Sequence, residues 1–166
     1  RRVLFRSNRP VLWAPSRSED MLTMPHGRGQ VQWAEAGFDG DGHLTGFRFR
    51  VLGDAGAYPT VGAALVGGTR RMAPGTYAVP AFQAHAISAT TNTTCVGAYR
   101  GAGRPEATSM VERLIDQAAH ELEIDPIELR RRNLLVEGIS RHTTPTGNTY
   151  DSGRYLHALE TAAELA

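Results

Sequence analysis

The chain has 166 residues, 41% of them hydrophobic and 21% charged, with a formal net charge of +1 and a single cysteine. That size supports one domain with its own core. Such a composition excludes a disordered chain, one cysteine excludes an internal disulfide framework, and no apolar run approaches the roughly 20 residues of a membrane-spanning helix.

Residues 1–7, RRVLFRS, are what one reading frame of a common sequencing-adapter oligonucleotide encodes. They are therefore expected to be an adapter artefact and are set apart from the folded chain, which then runs over 8–166. All 18 basic residues are arginine, and removing Arg1, Arg2 and Arg6 leaves 15 against 17 acidic residues. No basic patch then argues for a nucleic-acid partner.

Val11 to Trp13, closed by Pro15, reads as a short strand, and Ser18-Glu19-Asp20 as the start of a helical turn. Val31 and Trp33, then Phe47, Phe49 and Val51, alternate with polar residues at the period of half-buried strands. Asp39-Gly40-Asp41-Gly42 between them accepts positive φ, so a β-hairpin is predicted. Residues 59–75, rich in Gly, Ala and Thr, fit a small helix or a loop, and the sequence does not choose. Phe82, Ala84 and Ala86 on one side, with Gln83, His85 and Ile87 on the other, predict a further strand.

Apolar residues at 110, 111, 114, 115, 118, 119 and 122 predict an amphipathic helix from Pro105 to Leu122, with the proline at the first helical position. A second helix is predicted with Asp125 as N-cap, Pro126 first, and Glu128 completing a capping box. Arg130, Arg131 and Arg132 then complement its negative pole on a solvated face. Residues 138–153 carry turn formers. A last apolar helix starts at Tyr155 and shows no stop signal before Ala166, so the chain is expected to be a segment of something longer. The class is α+β: a β-hairpin and further strands followed by packed helices.

Six histidines show no metal-ligand spacing, Cys95 has no neighbouring histidine to activate it, and no Gly-x-Ser-x-Gly elbow occurs. The segment CVGAYRGAGRPEA, residues 95–107, stands out. It lacks the third glycine of a dinucleotide fingerprint and the Gly-Lys-Ser/Thr end of a phosphate loop. Its glycines permit unusual φ and close backbone approach, and the helix that follows offers unpaired N–H groups. Arg100 and Arg104 add charged donors. The residues alone leave two readings open, a structural turn or a cradle for an anion or cofactor.

From this loop onward, GAYRGAGRPEATSMVERLIDQAAHELEIDPIELRRRNLL closely resembles the molybdenum-cofactor-binding large subunit of the xanthine dehydrogenase and aldehyde oxidase family, in which carbon monoxide dehydrogenase large subunits also fall. RPVLWAPSRSEDM, GFDGDGHLTGFRFRVLGDAGAY, GTYAVPAF and YDSGRY agree in the same order, so the resemblance runs from about residue 9 to the end. The absence of lysine, whose codons are A-rich, fits a GC-rich bacterial genome.

The resemblance implies part of a larger molybdenum-cofactor-binding domain, in an oxidoreductase that hydroxylates a carbon with oxygen from water. It implies a molybdenum–pterin cofactor, in the cytosine dinucleotide form, with iron–sulfur clusters and FAD on partner subunits, in the cytoplasm. Carried over, Tyr99, Arg100, Gly101, Ala102 and Gly103 lie beside the cofactor, and Ala102 and Arg104 face the substrate pocket. Copper-containing carbon monoxide dehydrogenases carry a cysteine where Gly101 stands, and purine hydroxylases a phenylalanine where Ala102 stands. The purine-orienting arginine aligns near Gly68, with Arg70 and Arg71 only nearby. An aldehyde or another aromatic heterocycle is therefore the expected substrate. The family's catalytic glutamate and further cofactor loops fall outside these residues. No catalytic or metal-ligating residue is assigned, Glu106 and Glu112 are expected to be helix residues, and the isolated chain is expected to be inactive. Carbon monoxide as substrate, and a non-catalytic stand-alone binding module, are the alternatives.

Overall fold

The computed structural model describes residues 6–136 and 141–166. Residues 1–5 of the adapter-like stretch and 138–140 of the turn-rich one lie outside the described residues.

Helix α1 (Arg17–Thr23) starts where Ser16 supplies an N-cap hydroxyl to the Glu19 N–H and the Glu19 carboxylate accepts from the Ser16 N–H in return. The hairpin then forms as its pattern requires. β1 (Gln30–Phe38) and β2 (Leu44–Asp54) pair antiparallel, with Ala34 opposite Phe49. At the turn the Asp39 carboxylate accepts the N–H groups of Asp41 (3.0 Å) and His43 (2.8 Å), and Gly42 takes a φ of +80°. β3 (Phe82–Ala89) joins parallel to β2, giving the order β1-β2-β3. A parallel partner requires a crossover. Here it carries a 3₁₀ turn (Val61–Ala64) and helix α2 (Leu65–Met72), so part of the open stretch 59–75 is helical.

Helix α3 (Arg104–Glu121) begins one residue before Pro105, and α4 (Pro126–Asn133) follows. Phe47, Phe49 and Val51 of β2 form one buried cluster with Met110, Val111, Ile115 and Ala119 of α3 and Leu129 of α4. Each of these side chains except the small Ala119 contributes about 1.5–3 kcal/mol by leaving water. A two-residue pairing, β4 (His142–Thr143) with β5 (Thr149–Tyr150), and helix α5 (Tyr155–Glu164) complete the described chain. Thr146 and Asn148 tie that pairing to the Arg71 carbonyl at the end of α2.

Three expectations are corrected. Val11–Trp13 is not a strand: Leu12 is 94% exposed and no described strand lies beside it. Three apolar residues do not make a strand without a ladder to join. Val31 and Trp33 do not face the core. The inner positions of β1 are Gln30, Gln32, Ala34, Ala36 and Phe38, and the small alanines let α3 come close. Trp33 instead lies on the outer face, where the Arg50 guanidinium sits 5.5 Å from its ring.

The third correction concerns α4. Asp125 caps it as expected, accepting from the N–H groups of Ile127 and Glu128, but Glu128 completes no capping box. Its carboxylate is taken by Arg131 and Arg132. Nor is the arginine run merely a solvated face. Arg130, with a side chain only 16% exposed, bridges to Glu112 and Asp116 of α3 (2.8 Å each). Buried Asn133 goes further and joins α4 to the hairpin: its Oδ1 accepts the Leu44 N–H at 2.6 Å and its Nδ2 donates to the Gly42 carbonyl at 2.8 Å.

Candidate functional site

The loop ahead of α3 turns through three successive left-handed residues: Gly101 (φ +98°), Ala102 (+45°) and Gly103 (+100°). Both glycines are required here by packing as well as by φ. A Cβ on Gly101 would lie 2.6 Å from the Pro105 ring, and one on Gly103 2.6 Å from the Thr69 nitrogen of α2. Gly68 of α2 meets the loop from the same side, where a Cβ would come within 2.7 Å of the Ala102 carbonyl oxygen. Position 68, where the resemblance places a purine-orienting arginine, thus lies against the loop backbone itself.

The turn is closed by Ala102 N–H to the Tyr99 carbonyl (2.9 Å) and Arg104 N–H to the Gly101 carbonyl (3.1 Å). The Glu106 carboxylate accepts the Gly103 N–H at 3.0 Å and so covers a donor at the start of α3. That carboxylate is buried and also pairs with Arg28 at 3.1 Å. Arg28 further donates to the Arg100 carbonyl (2.7 Å) and lies 5.1 Å from the centre of the Tyr99 ring.

The residues expected at the site, 99–104, are consecutive in the chain and all lie in this turn. Gly101 to Gly103 are inside the turn; the side chains of Tyr99, Arg100 and Arg104 are exposed at its surface. Arg104 also donates to the Gly101 carbonyl at 3.3 Å. Glu106 is engaged by Arg28 and Gly103. Glu112 accepts from the Tyr77 hydroxyl (2.9 Å) and from Arg130, so both glutamates serve structural partners. Burial, then the negative charge of Glu112, raises the Tyr77 phenol well above its usual range and keeps it protonated. A second layer lies below the loop: Gln32 donates to the Glu106 carbonyl at 3.3 Å, and Thr69 and Gln32 both donate to the Gln30 side-chain oxygen. Among the described residues, Gln30 Nε2 is buried without a partner.

Arg28 was not among the residues the sequence singled out. It stands in a plain Gly-Arg-Gly, and its partners lie more than 70 positions away. Among the described residues no three or more His, Cys, Asp or Glu side chains gather as a metal site, and no helix is long and apolar enough to cross a membrane.

The loop thus packs its backbone on α2 and exposes a phenol and two guanidinium groups. The chain belongs to the molybdopterin cofactor-binding domain family, which matches residues 5–134. It is 32% identical over 160 residues to the nicotine 6-hydroxylase large subunit of Paenarthrobacter nicotinovorans, covering 94% of this chain and 19% of that protein. To the carbon monoxide dehydrogenase large chain of Hydrogenophaga pseudoflava it is 31% identical, covering 92% and 19%. Quinoline 2-oxidoreductase from Pseudomonas putida superposes with a TM-score of 0.87 at 33% identity, covering 98% of this chain and 21% of that one. The chain spans about a fifth of the length of these proteins.

The residues fit the group the family implies. Molybdopterin carries electron-rich ring atoms and a phosphate, and the loop exposes two guanidinium groups and a phenol beside the amino-terminal end of α3.

Proposed function

We propose that this chain is part of the catalytic subunit of a molybdenum hydroxylase that oxidises a C–H bond of an aldehyde or aromatic heterocycle with oxygen taken from water. The observation that carries this reading is the loop itself, clamped from within by Arg28 and Glu106 while the side chains of Tyr99, Arg100 and Arg104 are exposed at its surface. Tyr99, Arg100, Gly101, Ala102 and Gly103 hold the molybdenum–pterin cofactor, with Ala102 and Arg104 on the substrate side. When bound, that group supplies the two-electron oxidation and the oxygen transfer. The chain's own part is to bind and orient: the arginines offset negative charge, and the small Ala102 leaves room for a ring.

Two relatives bear names of N-heterocycle oxidation, which favours a heterocycle. Carbon monoxide is disfavoured by position 101. Glycine there offers no sulfur to a copper ion, and with φ at +98° and the Pro105 ring 2.6 Å from a Cβ, this backbone conformation does not admit a side chain. The same proposal includes the cytosine dinucleotide form of the cofactor, an iron–sulfur subunit and an FAD subunit as partners, and a cytoplasmic complex. It also takes residues 1–7 as adapter-derived and 8–166 as a segment without activity of its own.

The test is to recover the full gene by long-read sequencing and purify the encoded subunit with its neighbours. Molybdenum and pterin are then measured, and aldehydes, N-heterocycles and carbon monoxide are screened. Molybdenum near one per subunit with turnover of a heterocycle or aldehyde supports the proposal. A gene that begins at Arg1 and ends at Ala166, or a complex without molybdenum, sinks it. Turnover by the purified 8–166 segment would refute its inactivity.

A further inference from the structure

We infer that Arg28 is the positioning residue of the 99–103 loop: it fixes the peptide between Arg100 and Gly101 so that the Gly101 N–H is presented to the cofactor. The inference rests on the proposed cofactor function and adds a residue to it.

The argument begins with the segment that carries Arg28. Residues 25–28 run beside 95–99 as a short parallel pairing, with the His26 N–H to the Cys95 carbonyl at 3.2 Å and the Gly97 N–H to the His26 carbonyl at 2.7 Å. The two stretches lie so close that a Cβ on Gly27 would be 2.8 Å from the Tyr99 Cβ, and one on Gly97 2.7 Å from the Pro25 ring. Arg28 itself holds a φ of +66°, a left-handed conformation that is costly for a residue with a side chain and is kept only where surroundings impose it.

That backbone aims one guanidinium at three features of the loop: the Tyr99 ring, the Arg100 carbonyl, and the Glu106 carboxylate that covers the Gly103 N–H. A planar, five-donor fork meets a carbonyl, a carboxylate and a ring face together; an ammonium gathers its three donors at one point and lacks the fork's span and flat face. The partners bracket the left-handed turn, Tyr99 and Arg100 before it and Glu106 after it. Because a trans peptide sets its N–H opposite its C=O, drawing the Arg100 carbonyl toward Arg28 directs the Gly101 N–H away from Arg28. The clamp therefore orients a backbone donor while leaving the Arg100 and Arg104 side chains unengaged by Arg28.

The experiment uses the full-length subunit in its complex and compares wild type with Arg28→Met and Arg28→Lys. Amide hydrogen exchange over residues 97–104 reads the clamp without reference to the cofactor. Molybdenum and pterin content, the Mo(V) resonance and the thermal midpoint are measured alongside. Arg28→Met is expected to expose the loop amides and to cut molybdenum content about tenfold, the low end for removing an outer partner of a metal site. Arg28→Lys retains the pair with Glu106 and a near-wild-type midpoint, yet shifts the Mo(V) signal and loses about threefold in molybdenum, between wild type and Met. A role limited to the ion pair would leave Arg28→Lys like wild type in every measurement, and that result overturns the inference. So does unchanged exchange over 97–104 in Arg28→Met, or unchanged molybdenum content. A wild-type complex lacking molybdenum and pterin defeats the proposed function, and with it the Gly101 donor role. In that event unchanged exchange in Arg28→Met would show that the clamp fails as well.

Discussion

The two ends of α3 are held by opposite means. Its middle and carboxyl-terminal part buries Met110, Val111, Ile115 and Ala119 against β2 and α4, and is fixed chiefly by area removed from water, with Arg130 bridging to Glu112 and Asp116 beside it. Its amino-terminal end buries little apolar surface and is fixed by directed contacts: one carboxylate, one guanidinium, and glycines that let backbone touch backbone. Apolar packing is non-directional and tolerates small adjustments, whereas hydrogen bonds specify the orientation of each group. Apolar packing thus dominates one end of the helix and directed contacts the other, where the proposed cofactor loop lies.

The contrast can be broken most forcefully from the core. Phe49→Ala empties a fully buried site and is expected to cost about 3–5 kcal/mol. Read by amide exchange in the full-length subunit, that loss should fall on β2 and α3 together. Next comes Asn133→Ala, which leaves the Leu44 N–H and Gly42 carbonyl without their partner and is expected to cost about 2–3 kcal/mol. Exchange should rise first at the 39–44 turn. Gly103→Ala sharpens the other half. It forces a side chain into a φ of +100° and against the Thr69 nitrogen, at about 1–2 kcal/mol for the backbone conformation before the contact is counted. Core protection should barely change while molybdenum content drops. If core protection falls as far as in Phe49→Ala, the two ends are not separable.

The smallest effect is one of pH. The Asp54 carboxylate lies below its usual range because it accepts the Gly56 N–H, then the Thr91 and Thr93 hydroxyls. With the folded value depressed, its contribution is complete above the unfolded value of about 3.9 and is lost as pH falls through the lower folded one. Acid should therefore loosen residues 54–57 and 91–93 before the core, and Asp54→Asn should remove that pH dependence in an exchange titration.

Much of the core end was legible in the chain. Asp-Gly-Asp-Gly between alternating runs specifies the hairpin, and the spacing of residues 110–122 specifies α3, because both signals are local. Face assignment of β1 failed for a physical reason. Trp33 looks like core, but its register partner is Arg50, which stacks on it in solvent while alanines make room for the helix. Glu128 has capping-box spacing, yet two arginines on the next turn compete for its carboxylate. Asn133 reads as one more polar residue after an arginine run, and Arg28 as a surface charge between glycines. Both act on residues far along the chain, and no periodicity encodes such a pairing. The loop was visible as an anomaly of composition, while what turns and anchors it was not.

The Arg28 contacts also bear on the order in which the molecule assembles. The hairpin joins near neighbours in sequence, but Arg28 meets a carbonyl 72 residues onward, and only after the β2–β3 crossover has closed between them. Long-range closure carries an entropic cost before its contacts form, so this joint is expected late on the folding route. Weakening it should hasten opening while leaving the folding rate nearly unchanged. The proposed cofactor loop would then be the last part of the domain to close and the first to come apart, able to admit a large prosthetic group while the core beneath it is already complete.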